Sequence, residues 1–324
     1  MSVARRAGGT GPIIVQSMQR ERNIEVQYGE RLTRGAHFIR SALTSGPGLL
    51  WMQVFLLIPL LAIVFISFLT RGAYGEFHRP LTLENYARLL GFGPFGFDSL
   101  YPAIFLRSLA LGAFTTVLCV LIGLPLAFFI ANLPPRYKTG GLTLVVIPFW
   151  TNLLIRTYAW QILLAPQGWL SRLAATLGLV STDTPLYPGL FAVGVGMLCD
   201  FLPFMVLPLY ASMEKIDWNI VEAAMDLGAD HRQAFRHAVL PQVRPGLVAG
   251  SVLVFLPATG QFVIPDLLGG AKTALLGNAI QQQFGPSRDW PFGSAIVVAA
   301  LALVIAGLWI QARFAAAKGE PLAP

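Results

Sequence analysis

An all-α polytopic membrane protein with six transmembrane helices is the fold class this sequence predicts, on three observations. The chain of 324 residues is 55% hydrophobic and only 12% charged, with a mean hydropathy of +0.63. That is far more apolar than a soluble domain needs. Six runs are long enough to cross a hydrocarbon core, which takes about 20 apolar residues per helix. Lys and Arg fall mostly on one side of those runs.

The runs are Leu49–Leu69, Ile104–Ile130, Leu142–Leu164, Leu186–Tyr210, Leu247–Leu268 and Phe292–Phe314. Pro59, Pro125, Pro148, Pro203 and Pro257 interrupt them, as membrane helices tolerate when neighbours re-satisfy the freed carbonyls. With the N-terminus placed in the cytoplasm, one side collects Arg5, Arg6, Arg20, Arg22, Arg31, Arg34 and Arg40 of the tail. It also collects Arg136, Lys138, Lys215, Arg232, Arg236, Arg244, Arg313 and Lys318, more than half of the 23 basic residues. The positive-inside rule then puts both termini in the cytoplasm. The net charge of +7 reads as topology and lipid contact rather than nucleic-acid binding.

Residues 1–48 form a polar, Arg-rich cytoplasmic tail, either a disordered extension or, over Ile13 to Tyr28, a helix on an anionic surface. Residues 49–316 make the transmembrane domain and residues 317–324 a cytoplasmic tail. The first outer loop, Arg71 to Pro102, contains a short amphipathic helix at Leu83–Leu90. The second carries an apolar helix from Trp169 to Leu179. These loops, with Arg288–Gly293, either receive an external partner or anchor in the interface. Gly246 and Gly250 have the spacing for close helix packing.

Between the fourth and fifth runs lies a polar island. Asp217 caps a helix through Glu222, Ala223, Ala224, Met225 and Asp226. Gly228 ends it with a left-handed residue. Asp230 caps a second helix, which Pro241 ends. The product is a helix–turn–helix elbow over residues 214–245, with Glu222 and Asp226 on one face.

The elbow residues resemble the signature of the membrane subunits of binding-protein-dependent ABC importers, in which Glu-Ala-Ala, Gly and Leu-Pro recur at fixed spacing. Glu222, Ala223, Ala224, Gly228, Leu240 and Pro241 match, and Ala238 stands where the family has Ile. The resemblance covers nearly all of Leu49 to Phe314 and is closest to the first permease subunit of spermidine/putrescine importers. It rests also on Ser67–Arg71, Pro148–Arg156, Leu202–Val206, Asp266–Lys272 and Arg288–Gly293. It implies a type I ABC importer transmembrane fold in the bacterial inner membrane. It also implies an elbow that couples to a separate ATPase through Glu222, Ala223, Ala224, Asp226 and Gly228. The implied partners are a second permease subunit, two copies of an ATPase carrying ATP and Mg, and an extracytoplasmic solute-binding protein. The implied solute is a polyamine, with other amines, opines or phosphonates as alternatives.

For a polyamine, carboxylates answer the ammonium groups and aromatic walls answer the methylenes. Asp200 and Asp266 are the candidate carboxylates, Trp150, Tyr158 and Phe204 the aromatic walls, and Asn152 and Gln261 the pathway amides. Each has a plainer alternative. Asp200 can pair with Arg156, Asp266 can sit at a helix end among headgroups, and the amides can serve helix–helix bonds.

No phosphate-cradling Gly-x-x-x-x-Gly-Lys-Ser/Thr loop occurs. The four histidines form no metal pattern, and Cys119 and Cys199, both within spans, suggest no disulfide. The chain is not expected to be an enzyme or to bind a cofactor. A secondary transporter is the reading from a different class, but the internal repeats it would show are absent.

Overall fold

The computed structural model describes residues 46–72, 77–78, 81–93, 96–178, 186–270 and 274–316. Residues 1–45 of the Arg-rich tail and the segment 317–324 lie outside the described residues. Two compact units are distinguished, ending at Ile63 and beginning at Val64. Within the first, the described chain is helix, the start of α1 (Gly46–Ser67), with Leu49, Trp51, Phe55 and Ile58 exposed.

The second unit is helical apart from two short ribbons. Paired strands β1 (Thr70–Arg71) and β2 (Phe77–His78) precede α2 (Glu84–Leu89), at the site of the expected amphipathic helix. Strands β3 (Phe92–Gly93) and β4 (Gly96–Phe97) follow. The rest comprises α3 (Leu100–Ala131), α4 (Pro135–Trp150), α5 (Leu153–Leu164), α6 (Trp169–Thr176), α7 (Leu190–Met213), α8 (Trp218–Asp226), α9 (His231–Ala234), α10 (Leu240–Gly260), α11 (Val263–Gly269), α12 (Leu276–Phe284) and α13 (Trp290–Ala316). Among the described residues, five helices are long and apolar enough to cross a membrane, and six if one bent pair counts as a span.

The core is the mutual packing of α3, α7 and α10. Cys119, Met197, Met205, Val206, Leu209 and Val254 are fully buried there. Gly250 of α10 lies so near α7 that a Cβ would stand 2.9 Å from Met205 Sδ and 3.2 Å from the Met205 carbonyl. A Cβ at Gly246 would collide with the Pro208 carbonyl and Ser212. The Gly246–Gly250 pair therefore brings two backbones together, as its spacing suggests.

Three expectations about helix boundaries are corrected. The run Leu142–Leu164 is not one straight helix: α4 and the chain from Leu153 meet at 94°. Pro148 has no N–H to give, and Thr151 and Asn152 supply polar atoms that satisfy a bend. The run Leu247–Leu268 also breaks, between Gly260 and Val263. Pro241, in contrast, ends nothing. The residues Phe235–Val239 form a π turn in which the Leu240 N–H donates to the Phe235 carbonyl, and the chain runs as one helix from His231 to Gly260. Shifting the bonding by one residue accommodates the missing Pro241 N–H within a continuous helix.

At the end of α3 remote from α8, Asp289 is 1% exposed and pairs with Arg88 at 2.9 Å and Arg71 at 3.6 Å. Its other oxygen accepts from the Phe292 N–H, 3.2 Å away, at the start of α13. The Arg88 guanidinium lies 4.0 Å from the Phe292 ring centroid. Asn85, also buried, donates to the carbonyls of Ser67 and Leu69. One carboxylate thus ties the β1 and α2 segments to α13. Asp289→Ala should destabilise the protein by about 2 kcal/mol, because it removes a charge-assisted network and a helix cap. The thermal unfolding midpoint in detergent reads this, and an unchanged midpoint would show that the network contributes nothing.

Candidate functional site

The elbow is built as its capping residues dictate. Asp217 Oδ1 accepts from the Asn219 N–H at 3.0 Å, and α8 runs from Trp218 to Asp226. Gly228 has φ +90°, a conformation a side chain resists. Its N–H donates to Met225 O, 2.9 Å away. Asp230 and Gln233 then form a reciprocal capping box at 2.7 and 3.1 Å, satisfying two orphan donors at once.

Both arms are seated. Phe128, near the end of α3, meets Trp218 and Phe235 edge-on, each at 6.4 Å. The Asp217 N–H donates to Gln242 Oε1 at 2.9 Å, fixing the elbow's entry to α10. Glu214 accepts from Tyr210 at 2.9 Å and pairs with Lys138 at 3.5 Å. Val221 is buried and Ala224 half-buried, while Glu222, Ala223, Met225, Asp226 and Gly228 are exposed. Leu227 is 90% exposed. A rigid knob with an acidic and apolar tip results.

The second constellation sits at the two helix breaks. At the first, Asn152 Oδ1 accepts from the Leu154 N–H at 2.9 Å, capping α5. The Thr151 hydroxyl donates to the Pro148 carbonyl at 2.7 Å. Arg156, from the first turn of α5, donates to that same carbonyl and pairs with Asp200 of α7. Asp200 is 8% exposed. At the second break, Gln261 Oε1 accepts from the N–H groups of Phe262 and Val263 at 3.1 and 3.2 Å. Asn152 is therefore the N-cap of α5, and Gln261, just past the end of α10, gives its amide oxygen to the N–H groups leading into α11. The segments beyond the breaks, α5 and α11, pack against each other and against α7.

The remaining predicted residues are distributed around this core. Phe204, one turn beyond Asp200, packs edge-on against Phe149 at 5.1 Å. Trp150, the last residue of α4, is 79% exposed, and Tyr158 of α5 is half-exposed. Asp266 is exposed on α11 and accepts from Asn278 Nδ2 at 3.4 Å. No Lys or Arg among the described residues pairs with it. A cavity of about 670 Å³ adjoins the α4–α5 break. Its wall is apolar apart from Thr151, Arg156 and Cys199, and none of the predicted pathway residues lines it. Such a wall does not suit a solute carrying several charges.

Two groups escaped the sequence reading. Asn278, in the short helix α12, is a lone amide that carries no sequence pattern. Asp289 had a signal, a helix cap followed by Trp290 and then Pro291, a proline placed for the first turn.

Residues 120–318 match the family described as "Binding-protein-dependent transport system inner membrane component". The spermidine/putrescine transport system permease protein PotB of Haemophilus influenzae is 41% identical over 263 residues, covering 81% of this chain and 90% of the relative. PotB of Escherichia coli is 40% identical over 273 residues, 83% of this chain and 97% of the relative. The inner membrane ABC transporter permease protein YdcU of Escherichia coli is 31% identical over 276 residues, 80% of this chain and 84% of the relative. Among solved structures, a bacterial ABC transporter involved in the import of the acidic polysaccharide alginate superposes with a TM-score of 0.63 at 18% identity. It covers 86% of this chain and 97% of the other. The bacterial alginate ABC transporter in complex with its pentasaccharide-bound periplasmic protein gives 0.65 at 15% identity, over 86% and 96%. These two establish the transmembrane fold of an ABC importer. With the family match and the PotB identities together, the chain belongs to the inner-membrane components of binding-protein-dependent transport systems.

Proposed function

We propose that this chain is the permease subunit of an ATP-driven spermidine/putrescine importer, forming half of the translocation pathway. The observation that carries the substrate class is 41% identity to a spermidine/putrescine permease across 81% of the chain. Catalysis of ATP hydrolysis belongs to a separate ATPase, present in two copies, that binds ATP and Mg. A second permease subunit completes the pathway, and an extracytoplasmic binding protein delivers the solute to the end remote from the elbow. Both termini and the elbow face the cytoplasm.

The elbow tip, Glu222, Ala223, Asp226, Leu227 and Gly228, docks on the ATPase. Because His231–Gly260 is one helix of 30 residues, about 45 Å long, a displacement at the tip reaches Gln261. Broken helices in a membrane expose backbone only where they line a pathway or are covered by protein. The C-terminal ends of α4 and α10 turn carbonyls toward the breaks, which favours a cation. Asp266, Gln261, Asn152, Tyr158 and Trp150 meet the solute, and Phe204 backs the wall. Asp200 keeps its charge engaged with Arg156 and holds the α4–α5 bend against α7, so it positions the pathway.

Reconstitution with the partner subunits tests the reading. Wild-type proteoliposomes should take up spermidine only with ATP inside the compartment facing the elbow. Uptake on an ion gradient alone would favour a secondary transporter instead. Leu227→Asp leaves the chain's own packing untouched, so its unfolding midpoint should not move. Its ATPase copurification and uptake should fall at least about tenfold, as for a truncated interface anchor. Retention of both would remove the tip from the interface.

The two carboxylates separate by a cycle. Asp266→Asn should cut uptake about tenfold with assembly unchanged. Asp200→Asn should impair assembly, because it strands the Arg156 charge, and adding Arg156→Gln should recover much of the loss. Full uptake by Asp266→Asn, or no recovery in the double variant, would reverse these roles.

A further inference from the structure

A further charged residue inside a span has no role in the pathway just described. Arg107 lies on α3 within a candidate span and is exposed. Among the described residues it has neither a hydrogen-bond nor an ion-pair partner. Its neighbours one turn away, Ala103, Ile104, Ala110 and Leu111, are all apolar. An unpaired Arg at mid-membrane costs roughly 3 kcal/mol on insertion scales, so its depth matters. The 32 residues of α3 make a rod of about 48 Å, well beyond the roughly 30 Å of hydrocarbon. With that rod centred on the hydrocarbon, Arg107, about 10 Å from its start, lies at the hydrocarbon edge on the side remote from the elbow, within reach of the headgroups for a long side chain.

Arg107 also stands on the rim of a cavity of about 560 Å³, within the range of small-ligand sites. The wall behind it is apolar, including Ala110, Leu111, Phe114 and Val193. Gly189 and Leu190, which open α7, lie on the same cavity. That 24-residue helix has no side-chain cap at its N-terminus. Two independent positive features, a guanidinium and an uncapped helix start, therefore border a greasy recess. A cationic solute is repelled from such a place, and a phosphate is attracted to it.

We propose that this recess binds one anionic phospholipid. Its phosphate is held by Arg107 and the first turn of α7, and an acyl chain lies against Leu111, Phe114 and Val193. The apolar wall selects a lipid over a free phosphate. The depth of Arg107 suits a headgroup.

Native mass spectrometry of the assembled transporter, titrated with phosphatidylglycerol and separately with phosphatidylcholine, tests this. Wild type should retain phosphatidylglycerol in preference to phosphatidylcholine. Arg107→Ala should weaken phosphatidylglycerol retention at least about tenfold, the loss expected for a charge-assisted contact, and Arg107→Lys should weaken it less. Ala110→Phe keeps the charge but fills the recess, and should weaken retention as well. Unfolding midpoints of the variants confirm that each is folded, and Arg107→Ala, being exposed, stands alone if the larger side chain disrupts packing. Equal retention of the two lipids by wild type, or unchanged retention in Arg107→Ala, would overturn the site. So would displacement of the lipid by soluble glycerol phosphate, which would indicate a free-anion site. A photocrosslinker at position 110 that captures the second permease subunit would show that protein covers the recess instead.

Discussion

In hydrocarbon, every backbone N–H and C=O must find a partner within the protein, and three places in this fold show how that demand is met. At Pro241 a helix loses a donor and continues. At Thr151–Asn152 and at Gly260–Gln261 it loses its direction and recovers its bonds from side chains. The outcome differs because of what stands nearby. The π turn ahead of Pro241 re-registers the ladder by one residue. Asn152 and Gln261 instead accept from the next helix, allowing it to start anew.

These outcomes define a mechanical layout. The second arm of the elbow is the first turn of the helix whose far end is the Gln261 break. A tip fixed by Phe128, Gln242 and the capping box has little freedom to bend by itself. In the proposed coupling, motion imposed there is passed on as movement of a rod. The first break is held differently, by Arg156 bridging the Pro148 carbonyl and Asp200. One break is thus clamped to α7, while the other lies at the end of the lever.

Much of this was legible in the sequence. Composition marked the apolar helices, though not the breaks within two of the runs. Asp217, Gly228 and Asp230 marked the elbow because capping is local chemistry, read within four residues. The bend between α4 and α5 was not legible, since an apolar run records that a segment avoids water but not its direction. Pro241 misled for a related reason: its missing donor is visible in the sequence, and the π turn that absorbs it is not. Asn152 and Gln261 were noticed as unusual polar residues in apolar runs, and the structure gives that oddity a backbone cause. The Arg71–Asp289–Arg88 cluster joins segments some 200 residues apart, and no local pattern connects them.

Accessibility of Gln261 tests the coupling most directly. A cysteine at 261, with Cys119 and Cys199 replaced by alanine, would be labelled in the reconstituted transporter by a charged thiol reagent, with and without a non-hydrolysable ATP analogue. Coupling through the His231–Gly260 rod predicts that the labelling rate changes severalfold on nucleotide binding, and that the change vanishes when Gly250→Leu wedges the rod away from α7. A labelling rate indifferent to nucleotide would contradict it.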